Sequence, residues 1–463
     1  MNVPRREFLR WLGLGAASAT LPGCATSPQK ATRRKPNILF ILIDDMGWSD
    51  LACYGSAFHE TPNIDRLARQ GMRFTDAYAA CPVCSPTRAS IMSGQYPARV
   101  GVIDFITGHW HPYEKLRVPT NRTQYLPLEI VTLAESLQAA GYTTGHIGKW
   151  HLGGKQHSPE KQGFDHASQG GPNQKDKRVT TYTEQALSFI EQNRDKPFFL
   201  HLSHNTVHIR LEAPQDLVEK YQNKPKPPTG VNNPIYAAMV EHLDTSVGRI
   251  LSKLDDLGLA DDTIVVFFSD NGGLRQIYTG NGPIVASNAP LRDEKGTVYE
   301  GGIRVPLIVR WPGVVEPASE CYVPVTSVDF YPTFLEITGG RKPAGQPLDG
   351  RSLMPLLRQR GRFKDRAIYW HYPVYHHSTP AGAIREGDWK LIEFFTDGKL
   401  ELYNLKDDIG EQKNLTALFP RRTATLRRKL AAWRKSVDAA MPEPNPDFDP
   451  ARRHEWGRHP DRR

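Results

Sequence analysis

Net charge is missing from most of this chain. The 463 residues carry a formal +9, but +6 falls in residues 1–36 and +3 in residues 451–463, which leaves residues 37–450 neutral. Without an excess of Lys and Arg in the body of the chain, nucleic acid is excluded as a partner. Long apolar runs near the N-terminus are missing as well. The apolar stretch at residues 11–21 falls well short of the roughly 20 residues that a membrane-spanning helix needs. No internal repeat is visible. Cysteine is scarce, five in all. Cys81-Pro82-Val83-Cys84 fits a Cys-x-x-Cys redox pattern, but the thioredoxin-like unit that such a motif serves is not there around it. Cys53 and Cys321 lie too far apart in sequence to be judged a pair, so a disulfide among Cys53, Cys81 and Cys321 stays open.

What is present reads as an α/β enzyme. The length accommodates one large domain and a smaller one, and the hydrophobic fraction is 39%. The run Pro36-Asn37-Ile38-Leu39-Phe40-Ile41-Leu42-Ile43 is continuously apolar, as in a strand buried on both faces, and stops at Asp44-Asp45. A second such run, residues 263–269, stops at Asp270-Asn271. Residues 143–147 and 197–203 give two further strands, followed by Gly148-Lys149-Trp150-His151 and by His204-Asn205-Thr206-Val207-His208. Helical patterns at residues 61–71, 132–141 and 233–258 separate them. This alternation predicts a large, mostly parallel sheet sandwiched by helices, with polar clusters at the carboxyl ends of its strands.

After residue 357 the texture changes to short, closely spaced strands at 367–372, 383–385, 389–395 and 400–403, then a helix over 419–437. The expected organisation is a targeting segment and linker at 1–35, a catalytic domain at 36–357 and a smaller antiparallel subdomain with its helix at 358–441. A basic, Pro-rich tail at 442–463 is expected to be disordered. In the targeting segment, Arg5-Arg6-Glu7-Phe8-Leu9-Arg10 resembles a twin-arginine export signal. Leu21-Pro22-Gly23-Cys24 resembles a lipoprotein cleavage box, with Pro22 an unusual occupant, and would make Cys24 a lipidated first residue; plain cleavage nearby is the alternative. Both readings place the protein outside the cytoplasm, in the periplasm, free or tethered by lipid.

Asp44, Asp45, Asp270 and Asn271 are hard oxygen donors delivered by two strand ends, a set that favours calcium or magnesium over zinc. Between them lies Cys84-Ser85-Pro86-Thr87-Arg88-Ala89-Ser90-Ile91-Met92-Ser93-Gly94. The Cys-x-Pro-x-Arg pattern resembles the signature of the type I sulfatases, in the alkaline phosphatase superfamily, and the resemblance runs from about Pro36 to Leu415. It implies that a maturation enzyme converts Cys84 to formylglycine, whose hydrate attacks sulfur with one oxygen and expels sulfate by re-forming the carbonyl. It assigns Asp44, Asp45, Asp270 and Asn271, with residue 84, as ligands of one calcium ion. A helix starting near Pro86 would turn its N–H groups toward the sulfuryl group, and Arg88 would hold the diol oxygens.

Gly148-Lys149-Trp150-His151-Leu152-Gly153 resembles the family's own segment. There Lys149 would bind sulfate oxygens and His151 would be the base that breaks down the sulfated intermediate. His208, rather than His204, falls on the family's general-acid histidine, although His208-Ile209-Arg210 departs from the usual His-Thr-Pro. That departure places Arg210 near the substrate mouth. Within Leu291-Arg292-Asp293-Glu294-Lys295-Gly296, Lys295 would stabilise charge on the leaving group, and the later Glu300 and Arg304 read as structural. His371, His376 and His377, with Tyr372 and Tyr375, form either a sugar subsite lip or a packed His/Tyr surface. The resemblance thus implies hydrolysis of a sulfate monoester on an external sulfated sugar. The rivals are a phosphate mono- or diester hydrolase of the same superfamily and an inactive glycan-binding lipoprotein.

Overall fold

A computed structural model describes residues 35–227, 232–276 and 284–461; the export signal and Cys24 lie outside the described residues. Its centre is an eight-stranded sheet. In spatial order the strands are Ser319–Cys321, Met72–Phe74, Leu307–Arg310, Thr263–Ser269, Asn37–Ile43, Phe198–Ser203, Thr143–Gly148 and His166–Ser168. All run the same way except Leu307–Arg310, which is antiparallel to both neighbours.

The continuous apolar run of the strand Asn37–Ile43 has a direct structural cause. Ile38, Phe40 and Leu42 point into one core and Leu39, Ile41 and Ile43 into another. The first core is covered by helices that include Cys84–Ser93, Leu133–Ala139 and Phe330–Thr338, the second by Pro62–Arg69, Val179–Gln192 and Pro234–Asp256. The helix Leu133–Ala139 begins with a capping box, Thr132 accepting from the Glu135 N–H. Asn233 caps the helix Pro234–Asp256 through the N–H groups of Ile235 and Tyr236. The layers are those expected of a sheet buried on both sides. No disulfide joins Cys53, Cys81, Cys84 or Cys321.

The smaller sheet is antiparallel, with strands Ala367–Tyr372, Ala381–Glu386, Trp389–Phe394 and Leu400–Asn404 in sequence order, and the helix Pro420–Ser436 packs on it. Buried charges join it to the large domain. Lys390, fully buried, lies between Glu300 (2.8 Å) and Glu411 (2.9 Å). Arg385 meets Asp76 at 2.7 Å, and Arg304 meets the same Asp76 at 2.8 Å and Glu300 at 3.3 Å.

One expectation needs correction: residues 442–461 are ordered on the fold. Glu443–Pro444 pairs antiparallel with Leu116–Arg117. Farther along, the Asn445 N–H donates to Lys115 O (3.1 Å), the Asp449 N–H to Tyr113 O (3.2 Å) and the Gly457 N–H to Trp110 O (2.9 Å). Asn445 Nδ2 also reaches Pro112 O and Glu114 O. The segment is too polar to make a core of its own. It is held instead by backbone pairing with a loop more than 300 residues earlier, which composition cannot reveal.

Candidate active site

Four adjacent parallel strands end at one edge of the sheet. Thr263–Ser269 delivers Asp270 and Asn271, Asn37–Ile43 delivers Asp44 and Asp45, Phe198–Ser203 leads to His208, and Thr143–Gly148 leads to Lys149 and His151. Gly148 is required for this convergence: its φ is +105°, and a Cβ there would lie 1.9 Å from Ser203 O.

Cys84 is the first residue of its helix, Cys84–Ser93, which therefore starts two residues before the expected Pro86. Reciprocal bonds between Thr87 Oγ1 and the Cys81 backbone, 2.9 Å to the carbonyl and 3.2 Å from the N–H, fix the turn before it. Every residue of this helix is buried. Cys84 Sγ lies 3.3 Å from His151 Nδ1. His151 Nε2 is 2.7 Å from Ile106 O, so the proton sits on Nε2 and the bare Nδ1 faces residue 84 as an acceptor. Burial first, then Lys149, depresses His151 to about 3, which keeps it neutral at ordinary pH.

Arg88, one turn into the helix, donates to Asp270 Oδ2 from Nε at 2.9 Å and meets it with Nη2 at 2.7 Å. Its Nη1 reaches Lys149 O (2.7 Å) and Ser203 Oγ (2.5 Å). Lys149 Nζ contacts Asp44 Oδ2 at 2.6 Å, and Lys295 Nζ contacts both Asp45 oxygens at 2.7 and 2.8 Å. His208 Nε2 is 3.6 Å from Asp45 Oδ2, and its Nδ1 is bonded to Ile209 O. Burial lowers His208 to about 4. His204 is fully buried, and neither ring nitrogen has a hydrogen-bond partner.

The acidic cluster fits a hard cation. Donor atoms of Asp44, Cys84 and Asp270 all lie within 4.8 Å of one another, as do those of Asp44, Asp45 and His208. Two buried oxygens, Asp44 Oδ1 and Asn271 Oδ1, accept no hydrogen bond, a costly arrangement unless a cation takes them. Burial and the nearby Asp44 push Asp270 up, to about 8, against the pull of Arg88. Burial also raises Asp44, but Lys149, His208 and Arg88 outweigh it and hold that carboxyl well below the usual range. Carboxylates crowded this closely gain from added positive charge, and the oxygens of Asp44, Asp45, Asp270 and Asn271 are donors of the kind that hard cations take. Asp45 and His151 both sit at positive φ, +64° and +57°, local strain of the kind that concentrates at functional sites.

These groups open into a cavity of about 450 Å³ whose lining includes Cys84, Lys149, His151, His208 and Lys295. The expected substrate residues fare differently. Arg210 is exposed beside Ile209, which lines the cavity. His371 is buried, with Nε2 2.8 Å from Ala440 O and its ring against Phe395, and the cavity lining does not include it. It follows Trp370, whose indole N–H is tied to Ala79 O, and strand alternation turns it to the other face. His376 and His377 are half-buried and not among the lining residues, His376 against His109 and His377 Nδ1 2.8 Å from Lys295 O. They pack beside His109 and Lys295, which do line the cavity.

Sequence reasoning passed over the loop that begins at Asp104, which supplies Phe105, Ile106, His109 and Trp110 to the cavity, and the C-terminal contributors Trp456 and His459. The cluster His109-Trp110-His111 was the one available signal.

Residues 36–340 match the sulfatase family. The chain belongs to that family. It is a type I sulfatase of the alkaline phosphatase superfamily and a sulfuric ester hydrolase. Residues 293–436 also match the C-terminal region of N-sulphoglucosamine sulphohydrolase. Among its relatives, a sulfatase of Formosa agariphila is 34% identical, over 88% of this chain and 90% of that one. The N-acetylgalactosamine-6-sulfatase of Homo sapiens is also 34% identical, over 78% and 70%. The crystal structure of Ps i-CgsB in complex with k-i-k-neocarrahexaose superposes with a TM-score of 0.74 at 29% identity, covering 90% of this chain and 95% of that one.

Proposed function

We propose that this sulfatase hydrolyses sulfate monoesters on a sulfated carbohydrate, using formylglycine made from Cys84 and a calcium ion held by Asp44, Asp45, Asp270 and Asn271. One observation carries the reading. Cys84 opens a buried helix with its Sγ 3.3 Å from an unprotonated His151 nitrogen, inside a cradle of carboxylates that has two unsatisfied oxygens. The sugar class is supported by a relative named N-acetylgalactosamine-6-sulfatase and by a similar structure solved in complex with k-i-k-neocarrahexaose.

Matured residue 84 and bound calcium would supply the oxygen nucleophile and offset the charge of the ester. The chain's own residues do the rest. Arg88 fixes the orientation of residue 84's surroundings through Asp270, Ser203 and Lys149 O. Lys149 and Lys295 bring two ammonium groups to the cavity base, where they bind sulfate oxygens and the developing alkoxide charge. His151 Nδ1 takes the proton at residue 84, while Ile106 O holds its other nitrogen. His208 Nδ1 is committed to Ile209 O, so Nε2 carries a transferable proton only in the imidazolium form. An anionic ester beside it favours that form and makes Nε2 the donor to the leaving alcohol.

The N-terminal motifs support export by a twin-arginine route to the periplasm, with Cys24 as a lipid anchor. That route moves folded protein and so lets a cytoplasmic maturation enzyme reach Cys84 first. Mass spectrometry of the peptide spanning residue 84, with assays on paired sulfate and phosphate esters before and after chelation, tests the proposal. Conversion lowers the peptide mass by about 18 Da, and sulfate turnover should be lost with calcium. An intact thiol in active enzyme, or a strong preference for phosphate, would sink it.

A further inference from the structure

The wall of the cavity farthest along the chain comes from the segment 442–461. That segment is fixed along the loop 110–117, and the Gly457 N–H bond to Trp110 O sets the backbone beside Trp456. Trp456 lines the cavity with Lys149, His151 and His208. Its indole is held by two imidazoles: the His109 ring is 4.7 Å away edge-on, and the His111 ring is 4.2 Å away and tilted. The base of the loop is fixed in turn by Asp104, which accepts from the N–H groups of Phe105 (2.9 Å) and His109 (3.1 Å).

Despite these supports Trp456 remains 52% exposed. A large aromatic held in one orientation yet left half open beside a charged cavity gains little from core packing. It is suited to an amphipathic ligand whose apolar face can cover it. A pyranose ring offers such a face, its axial C–H groups meeting the negative face of the indole. Because neighbouring rings already fix the indole, stacking costs little side-chain entropy.

We propose that Trp456 is a substrate-binding residue, packing its indole on the sugar ring whose sulfate group sits at residue 84. This rests on the sulfated-sugar reading above. The segment 442–461 thereby becomes part of the specificity wall.

The test compares wild type, Trp456→Ala and Trp456→Phe, all with residue 84 matured. The substrates are N-acetylgalactosamine 6-sulfate, glucosamine 2-N,6-O-disulfate and a carrageenan hexasaccharide, and inorganic sulfate serves as a product inhibitor. On whichever sugar the wild type turns over, Trp456→Ala should raise KM about tenfold. Trp456→Phe should recover most of that loss. The inhibition constant of inorganic sulfate, which needs only the cavity base, should stay the same in all three, as should Tm. If the wild type turns over a sugar and Trp456→Ala does so with unchanged KM, the platform is overturned and the proposed function stands. Equal weakening of inorganic sulfate also overturns it, since the effect would then lie at the base. If the wild type neither binds nor cleaves any of the sugars, the substrate class fails and the platform fails with it.

Discussion

Arg88 grips a single oxygen of Asp270, Oδ2, with both Nε and Nη2, while Asp270 Oδ1 accepts the Asp45 N–H at 3.2 Å. The pair is almost wholly buried. It couples the nucleophile helix to the end of the strand Thr263–Ser269, so its loss should be felt in both stability and rate. Arg88→Ala leaves the buried Asp270 carboxyl without its partner and should destabilise the fold by about 1–3 kcal/mol, read as a fall in Tm. Arg88→Lys should restore part of that stability but little activity, because one ammonium cannot span Asp270, Ser203 and Lys149 O together.

Calcium should act as a stabilising ligand. Added calcium should raise Tm by several degrees in the wild type, through preferential binding to the folded state. Asp44→Asn removes one charge from the cradle and should abolish most of that shift. Calorimetric melts with and without chelator give the readout, and an unchanged response in Asp44→Asn would remove Asp44 from the ligand set.

The two histidines should separate by leaving group. His208→Ala should slow esters of poorly leaving sugar alcohols by about a hundredfold and spare 4-nitrophenyl sulfate, whose phenolate leaves unaided. His151→Ala should slow both kinds, because it acts at residue 84 whatever group departs. Steady-state kcat on the two substrate types distinguishes the roles.

Asp104 predicts a pH dependence of stability. Burial raises its carboxyl from 3.8 to about 6, and the His109 N–H and the Tyr372 hydroxyl only partly oppose that shift. The folded state therefore binds the proton more tightly than the unfolded chain. The stability this confers is fully present below about pH 4 and is lost as pH rises through about 6. Relative to Asp104→Asn, the wild type should lose Tm across that window, by the equivalent of roughly 3 kcal/mol.

Gly457→Ala probes the ordered tail. A Cβ there would lie 2.8 Å from both Pro112 Cδ and Trp110 Cδ1, so the segment 442–461 should lift from its loop. Limited proteolysis should then cut within 442–461 faster than in the wild type, while the melting of the large domain changes little.

Much of this was legible in the sequence because it is local. The strand Asn37–Ile43 advertises burial on two faces through an unbroken apolar run, and Asp44-Asp45 ends it abruptly. Thr132 and Asn233 cap the helices they precede. Cys84, Arg88, Lys149, His151, His208 and Lys295 converge because each follows a strand end or a recognisable motif. What was hidden depends on contacts between distant segments. The strand Leu307–Arg310 runs against its neighbours for reasons no local pattern carries. His371 looks like a subsite residue until strand alternation turns it inward. Trp456 reaches the cavity only because Asn445, Asp449 and Gly457 pair with a loop some 330 residues away.

Lys390 between Glu300 and Glu411, and Arg385 and Arg304 around Asp76, give the boundary between the two sheets a further meaning. Each half carries charges that the other half helps to neutralise: Glu300 and Asp76 pair with Arg304 of their own half and with Lys390 and Arg385 of the other, and Lys390 pairs with Glu411 as well as Glu300. A break near residue 357 would leave Glu300 and Asp76 without cations from the smaller sheet, and that sheet would keep Lys390 and Arg385 beside an apolar face open to water. The smaller domain is thus a poor module for exchange. A relative's C-terminal half could be grafted here only if its cations and the matching carboxylates moved together, so divergence on either side of the seam is constrained to happen in pairs.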